Sequence, residues 1–460
     1  MSESAPALRG NIGRFQLFAF GFGSIIGSSW CVLAGSWIGS AGPGGAFIGF
    51  ALGGIVVACI GACYAELTSR LPVTGGEFTF VLNIFGRGLA FYVGWFIAFA
   101  WILVTIFEGL AIAWLFERLN TGVPDVALYT VGDTTVTRNA LLIGGTVAPA
   151  IAFLNWRGGQ LLARFHSLLT YTFIAVALAM VMLMLGHGAP ANWVPLLPAQ
   201  NPVWWEGAAA IFANCAFLLC GFQAVSQVVE EKSARLPFST LFRILVLTVV
   251  AASGFYCVVV LGTAIMMPWQ TLPPHSLAFV ESARLLPGGN VLVPLVLVIA
   301  ILSLLKTWNG CVLMASRTLI ALQREGLMPQ WMNKWHGRSG VPGPIILVIL
   351  AMNVAGLPLG RGAVGMLVDA ITISLVFGYA ICCIGLPVLR KRQGARADVV
   401  AASNPVVVIG VVGAVVMAVL AVVMPLVQAG GWPPVFWIFP AWTAIGTLVL
   451  LAIKKANREV

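Results

Sequence analysis

Three ionisable side chains, Glu108, Lys306 and Asp369, stand inside long apolar runs of a 460-residue chain. A charge at the centre of a bilayer costs at least about 2.5–3.5 kcal/mol, so each calls for a partner or a task. Glu108 precedes Arg118 by ten residues and Lys306 precedes Arg317 by eleven. Helical rise then puts them roughly 15 and 16 Å from opposite membrane faces, near the middle of a core of about 30 Å. Glu108 at that depth suits three roles: binding a substrate amine, carrying a coupled proton if burial raises its pKa, or serving as a counter-ion. Lys306 suits a fixed positive charge in a cation site, an ion pair with Glu108, or a side chain reaching out to water. Asp369 falls near the outer end of its run, where solvation is favoured over a role in a vestibule or gate.

A second kind of chemistry comes from backbone. The stretch "GFGSIIGSSW", Gly21 to Trp30, places three glycines and three serines in an uncharged run. A helix that unwinds in lipid exposes amides and carbonyls, each costing several kcal/mol unless protein, water or ligand satisfies it. Gly21, Gly23 and Gly27 lower the cost of non-helical backbone, and Ser24, Ser28 and Ser29 can bond what is freed. Close helix packing through small residues is the competing reading. A matching interruption, Gly221 and Gln223 within "NCAFLLCGFQAVSQ", recurs five spans later. Interruptions at corresponding places in two halves point to an inverted repeat with a midplane site between them.

The elements that position these residues are membrane helices. The chain is 60% hydrophobic and only 9% charged, with a mean hydropathy of +0.98, which excludes a soluble domain. Apolar runs near 15–40, 44–65, 88–116, 139–155, 165–186, 207–229, 244–267, 290–316, 343–360, 362–389, 405–429 and 432–453 predict about twelve helices. With the N-terminus inside, twenty of the 25 basic residues fall on the inner side; Arg118, Arg138, Arg284 and Arg361 lie outside and Lys306 within a span. That asymmetry predicts cytoplasmic termini in a plasma (inner) membrane. It also assigns the formal charge of +10 to topology and anionic headgroups rather than to nucleic acid. The polar start "MSESAPALRGNIGR" lacks the apolar core of a signal peptide, so the first span is expected to be retained. All nine cysteines fall within spans, which argues against a disulfide framework.

Four motifs carry a resemblance. "GSIIGSSW", "YAELTSRLPVTGGEFTFVLNIFG", "GFQAVSQVVEE" and "WNGCVLMASRTLIALQREGLMPQW" occur in the order and topology of the amino acid–polyamine–organocation (APC) superfamily, which the chain resembles nearly end to end. The resemblance implies an all-α integral membrane fold of the LeuT type: five helices, five inverted helices and two peripheral ones. The corresponding divisions are a cytoplasmic N-terminus (1–14), a first repeat (15–186), a second (187–389), an inner loop (390–404), two peripheral helices (405–453) and a cytoplasmic C-terminus (454–460). It further implies alternating access around a site where Ser28 and Ser29 meet a substrate carboxylate, and Ile25, Phe217 and Leu218 offer carbonyls to an ammonium. Ser29 stands where the family usually has Gly, and Trp30 where it has a small aliphatic residue. The indole of Trp30 either occupies substrate volume or packs at a helix interface, and an amine without a carboxylate is the alternative substrate class.

In several sodium-independent members a fifth-helix lysine fills the cation site. Here the fifth span offers Tyr171, Thr172 and Phe173 instead, and Lys306, three residues before Asn309, is placed to supply that charge from the other wall. Glu230 and Glu231, beside Lys232 and Arg235, read as an inner gating network, as does Glu77 near Arg70. Phe217, Phe222 and Trp308 are candidate pocket walls, with core packing the favoured role for any one of them. No metal spacing among the four histidines, no nucleotide-binding loop and no nucleophile–base pair is visible, so neither cofactor nor enzymatic activity is expected. The expectation is a secondary transporter for an amino acid or small amine, driven by protons or by exchange; a sensing receptor on the same scaffold is the rival.

Overall fold

The computed structural model describes residues 13–456 apart from 120–123, 133, 158–159, 199–203, 228, 230–235, 273–276, 335–340, 395, 397–398 and 430. The first span is α1 (Arg14–Ile25) followed, after a break, by α2 (Ser29–Val32). Next comes α3 (Ala34–Arg70), which departs from helical geometry at Gly42 (φ 67°, ψ 169°) just before Pro43. The chain leaves the first span there and enters the second. A short α4 (Gly76–Phe85) leads into α5 (Arg87–Arg118), whose residues from Ala90 to Leu115 are almost all buried. Such an all-round apolar helix belongs at the centre of a bundle.

Between α5 and α6 (Arg138–Arg157) the outer segment pairs β1 (Ala127–Val131) with β2 (Thr134–Thr137) in an antiparallel hairpin. It is the one β element among the described residues. The fifth span is α7 (Gln160–His187), and the sixth is α8 (Trp204–Leu218) broken from α9 (Gln223–Gln227). Then follow α10 (Phe238–Ala264), α11 (Ala278–Arg284), α12 (Gly289–Arg324), α13 (Gly343–Gly356), α14 (Val364–Gln393), α15 (Asn404–Ala429) and α16 (Val435–Ala456).

Among the described residues eleven helical stretches are long and apolar enough to cross a membrane. The run expected near 343–360 is shorter than these: α13 has 14 residues and a 3₁₀ turn, Leu357–Leu359, completes it. Outward faces carry large apolar side chains such as Met182, Val291 and Trp437, as lipid contact requires. Burial falls from α5 to α16, which exposes most of its length and docks on α5 through stacked Trp442, Trp95 and Phe99 rings. All nine cysteines are free.

Candidate functional site: two facing helix breaks

Helix α1 ends where Ile26 turns to extended backbone (φ −90°, ψ 98°). Its amide still closes on the Phe22 carbonyl (3.0 Å), but the carbonyls of Gly23, Ile26 and Gly27 are released from the ladder. Helix α12 meets all three with one face, because Ser303, Lys306 and Thr307 are spaced at i, i+3 and i+4. Lys306 Nζ donates to Gly23 O (2.8 Å) and Ile26 O (3.0 Å). Thr307 Oγ1 lies within 3.1 and 3.2 Å of the same two oxygens, and Ser303 Oγ within 3.0 and 3.1 Å of Ile26 O and Gly27 O. The fifth span gives this ammonium a ring rather than a second charge: the Phe173 centroid is 5.3 Å from Nζ.

Glu108 of α5 lies on the other side of the break. Its Oε2 accepts the Ser28 hydroxyl at 2.9 Å, and its Oε1 fills the space a Cβ on Gly27 would need. Only glycine admits the carboxylate so close to the chain. Glu108 and Lys306 are both buried, yet they form no ion pair; the ammonium is turned onto backbone instead. Beside Glu108 is a small cavity. Ser24, Ile25, Gly27, Ser29, Glu108, Phe217 and Leu218 line it, and so do Val104, Cys220, Thr307 and Cys311, which the sequence did not single out. Ser24 Oγ, buried on this wall, makes no hydrogen bond.

The sixth span comes apart between Leu218 and Gln223, directly opposite. Gly221 has φ +107° and a Cβ there would lie 2.5 Å from the Ser24 carbonyl carbon, so glycine is required both by conformation and by the approach of the two breaks. Gln223 closes this break from within. Its Oε1 accepts the Gly221 amide (2.8 Å) and its Nε2 donates to Tyr379 OH (2.7 Å), which in turn donates to the Ala216 carbonyl (3.1 Å).

Several expected wall residues therefore stand elsewhere. Trp30 is turned from the cavity into an aromatic cluster with Phe173, Phe255 and Phe279 (centroids 5.6, 6.2 and 4.8 Å), so its bulk is spent on packing. Phe222 packs on Tyr64 and Tyr379 (5.4 and 5.6 Å). Trp308, one residue past Thr307 and so rotated about 100° around α12, faces Gly109 of α5. Ser28 reaches Glu108 rather than the cavity surface. Asp369 sits half-buried in the second turn of α14.

The expected inner network also changes partners. Arg70 Nε donates to Glu66 (2.9 Å), one helical turn earlier, and not to Glu77. The same Glu66 carboxylate takes Arg390 Nε (2.9 Å) and Nη2 (2.5 Å) and the Ala402 amide (2.8 Å), tying α3 to α14 and to the segment before α15. Glu230, Glu231, Lys232 and Arg235 lie outside the described residues. No group of three or more His, Cys, Asp or Glu side chains among the described residues is arranged to hold a metal.

Comparison with known proteins agrees with this architecture. The model of the amino acid permease family matches residues 12–450. The methylthioribose transporter of Bacillus subtilis is 26% identical, over 99% of this chain and 95% of its own length. The branched-chain amino acid permease of the same organism is 24% identical over 85% and 83% of the two chains, and its aspartate–proton symporter 25% over 82% and 72%. A multi-pass bundle with two broken spans, matched by the family model over residues 12–450 and by permeases over most of its length, has one reading at this level: the chain belongs to the amino acid permease family of membrane transporters, within the APC superfamily.

Proposed function

We propose that this protein carries an amino acid or related small amine by alternating access, without sodium, and that the cavity between the two breaks is its substrate site. The observation that carries the proposal is the Lys306 ammonium seated on the Gly23 and Ile26 carbonyls. Released carbonyls at the end of a half-helix are where a transporter would otherwise coordinate a metal cation. A second unit charge within about 4 Å of Nζ would be repelled by about 4 kcal/mol at an effective dielectric of 20. Lys306 thus acts as the fixed cation, and coupling falls to protons or to a second substrate.

Glu108 is assigned to the substrate ammonium, as the carboxylate that lines the cavity, with the unpartnered Ser24 hydroxyl beside it. The relatives transport molecules as different as methylthioribose, branched-chain amino acids and aspartate, so they leave the choice open. In alternating access the two five-span halves, 15–186 and 187–389, close in turn over the site from the inner and outer faces of a plasma membrane.

Counterflow in proteoliposomes tests the carrier. Protein loaded with unlabelled substrate should accumulate a labelled compound from a panel of amino acids, amines and a thiosugar. Binding without counterflow across the panel would replace the carrier with a receptor on the same scaffold.

A further inference from the structure

A carboxyl group that the carrier reading does not use lies on the inner side of the sixth-span break. Glu77 opens α4, outside the long apolar spans, and is fully buried. Neither of its oxygens reaches hydrogen-bond geometry with any group among the described residues. Arg70, the nearby cation in sequence, is engaged by Glu66.

Two polar groups near this turn are buried and likewise unsatisfied. The Tyr64 hydroxyl of α3 is buried without a partner, and so are both amide atoms of Gln227, which packs over Gly76. Tyr64 and the Gln223 amide lie close enough to favour a charged carboxylate. The titratable groups that sense Glu77 are Tyr64 from α3, Tyr379 and Cys382 from α14, and Cys220 from the break; none of them is a cation. None of the described side chains of α5, α9 or α12 contributes a charge that acts on it. Burial pushes the Glu77 carboxyl up to about 7, against the opposing pull of its own backbone amide, Tyr64 and Gln223.

A buried carboxylate without a cation is stable only as the acid or in contact with water. We propose that Glu77 is a proton-binding site, distinct from the substrate cavity, which holds its proton while the inner side is closed and releases it to water on that side when α9 parts from α4. In that step the carboxyl O–H bond breaks, the proton passes to water, and the carboxylate left behind is hydrated until closure returns a proton to it. The proposal rests on the carrier reading above.

The test uses the full chain in proteoliposomes, with external pH held at 6 and internal pH stepped from 6 to 8. A single group titrating near 7 changes its deprotonated fraction about tenfold over that range. Net uptake by the wild type should rise by about that factor, and by less than about twofold in Glu77→Gln. An undiminished rise in the variant overturns the site. Infrared difference spectra between the two pH values give an independent readout. Subtracting the Glu77→Gln spectrum from the wild type should leave a carboxylic-acid band that titrates near neutrality, and a flat result overturns the proposal. If that variant fails to insert, Tyr64→Phe, which removes a hydroxyl favouring the charged form, should move the midpoint of the wild-type band to higher pH; an unmoved midpoint counts against it. Wild-type counterflow at equal pH separates the two readings. Its absence removes the carrier, whereas counterflow without a Glu77 signal removes only the proton site.

Discussion

The two breaks solve the same problem in opposite ways. At the first, the released carbonyls of Gly23, Ile26 and Gly27 are met by donors on α12, and one donor is a lysine that cannot leave. Around the inner side of the second, Gln223 and Tyr379 satisfy the backbone, but the polar atoms of Glu77, Tyr64 and Gln227 are buried with no partner in hydrogen-bond geometry. Each unsatisfied polar group there costs about 1–3 kcal/mol. The difference teaches that the first break is pinned by a charge built into the chain, whereas the second is closed by neutral groups with unmatched polar side chains beside it. A pinned region and a poised one, in contact at Gly221 and Ser24, are what a two-state carrier needs.

The contrast breaks most severely if Lys306 is removed. Lys306→Met strips the charged donor from Gly23 O and Ile26 O, leaving two hydroxyls to serve three carbonyls, and should abolish counterflow, a loss above about 100-fold given about 1.5–3 kcal/mol for each charge-assisted bond. Retained flux in that variant would show that the ammonium is dispensable. Gly27→Leu is next: its side chain has no room beside Glu108 Oε1 and the Thr307 side chain, so binding should vanish while the protein still inserts, as read by ligand binding against detergent-solubilised yield. A variant that binds normally would return the first break to a packing seam.

Glu108→Gln keeps the shape and removes the charge. Amine-bearing substrates should bind roughly 10- to 100-fold more weakly, from the same range for a charged hydrogen bond, while neutral compounds change little. Equal losses for both would make Glu108 structural. Single losses in Lys306 and Glu108 variants that do not deepen in the double variant would mean that the two act as one unit despite lacking an ion pair. The smallest effect is expected at Trp30. Trp30→Phe should shift substrate affinity less than about twofold, since the ring meets Phe173, Phe255 and Phe279, and its cost of about 1 kcal/mol should appear in thermal stability instead.

Much of this arrangement is legible in the sequence where local chemistry is one-sided. Glycines and serines crowded into an apolar run announce a break, and Gly221 with Gln223 announces the second. The depth of Lys306 follows from helical rise, and its cation-site role is an expectation that the carbonyl contacts now support. What hydropathy does not carry is rotation about the helix axis. In a helix buried all round, neighbouring residues such as Thr307 and Trp308, or Ser29 and Trp30, differ in direction by about 100° with no polar face to fix the phase. The sequence therefore does not point to Thr307, and it leaves Trp30 and Trp308 open between pocket wall and packing.

Pairings between distant elements are hidden for the same reason. The i, i+4 spacing of Glu66 and Arg70 was a visible signal for that ion pair, but nothing in the sequence joins either to Arg390 or leaves Glu77 alone. The outer hairpin, β1 with β2, is likewise a feature of a polar stretch whose turn residues are weak punctuation.

The central claim is that Lys306 occupies the place of a coupling cation. Initial rates of uptake in sodium, potassium and choline buffers at constant pH test it most directly. The account predicts equal rates in all three, and strict dependence on sodium would contradict it.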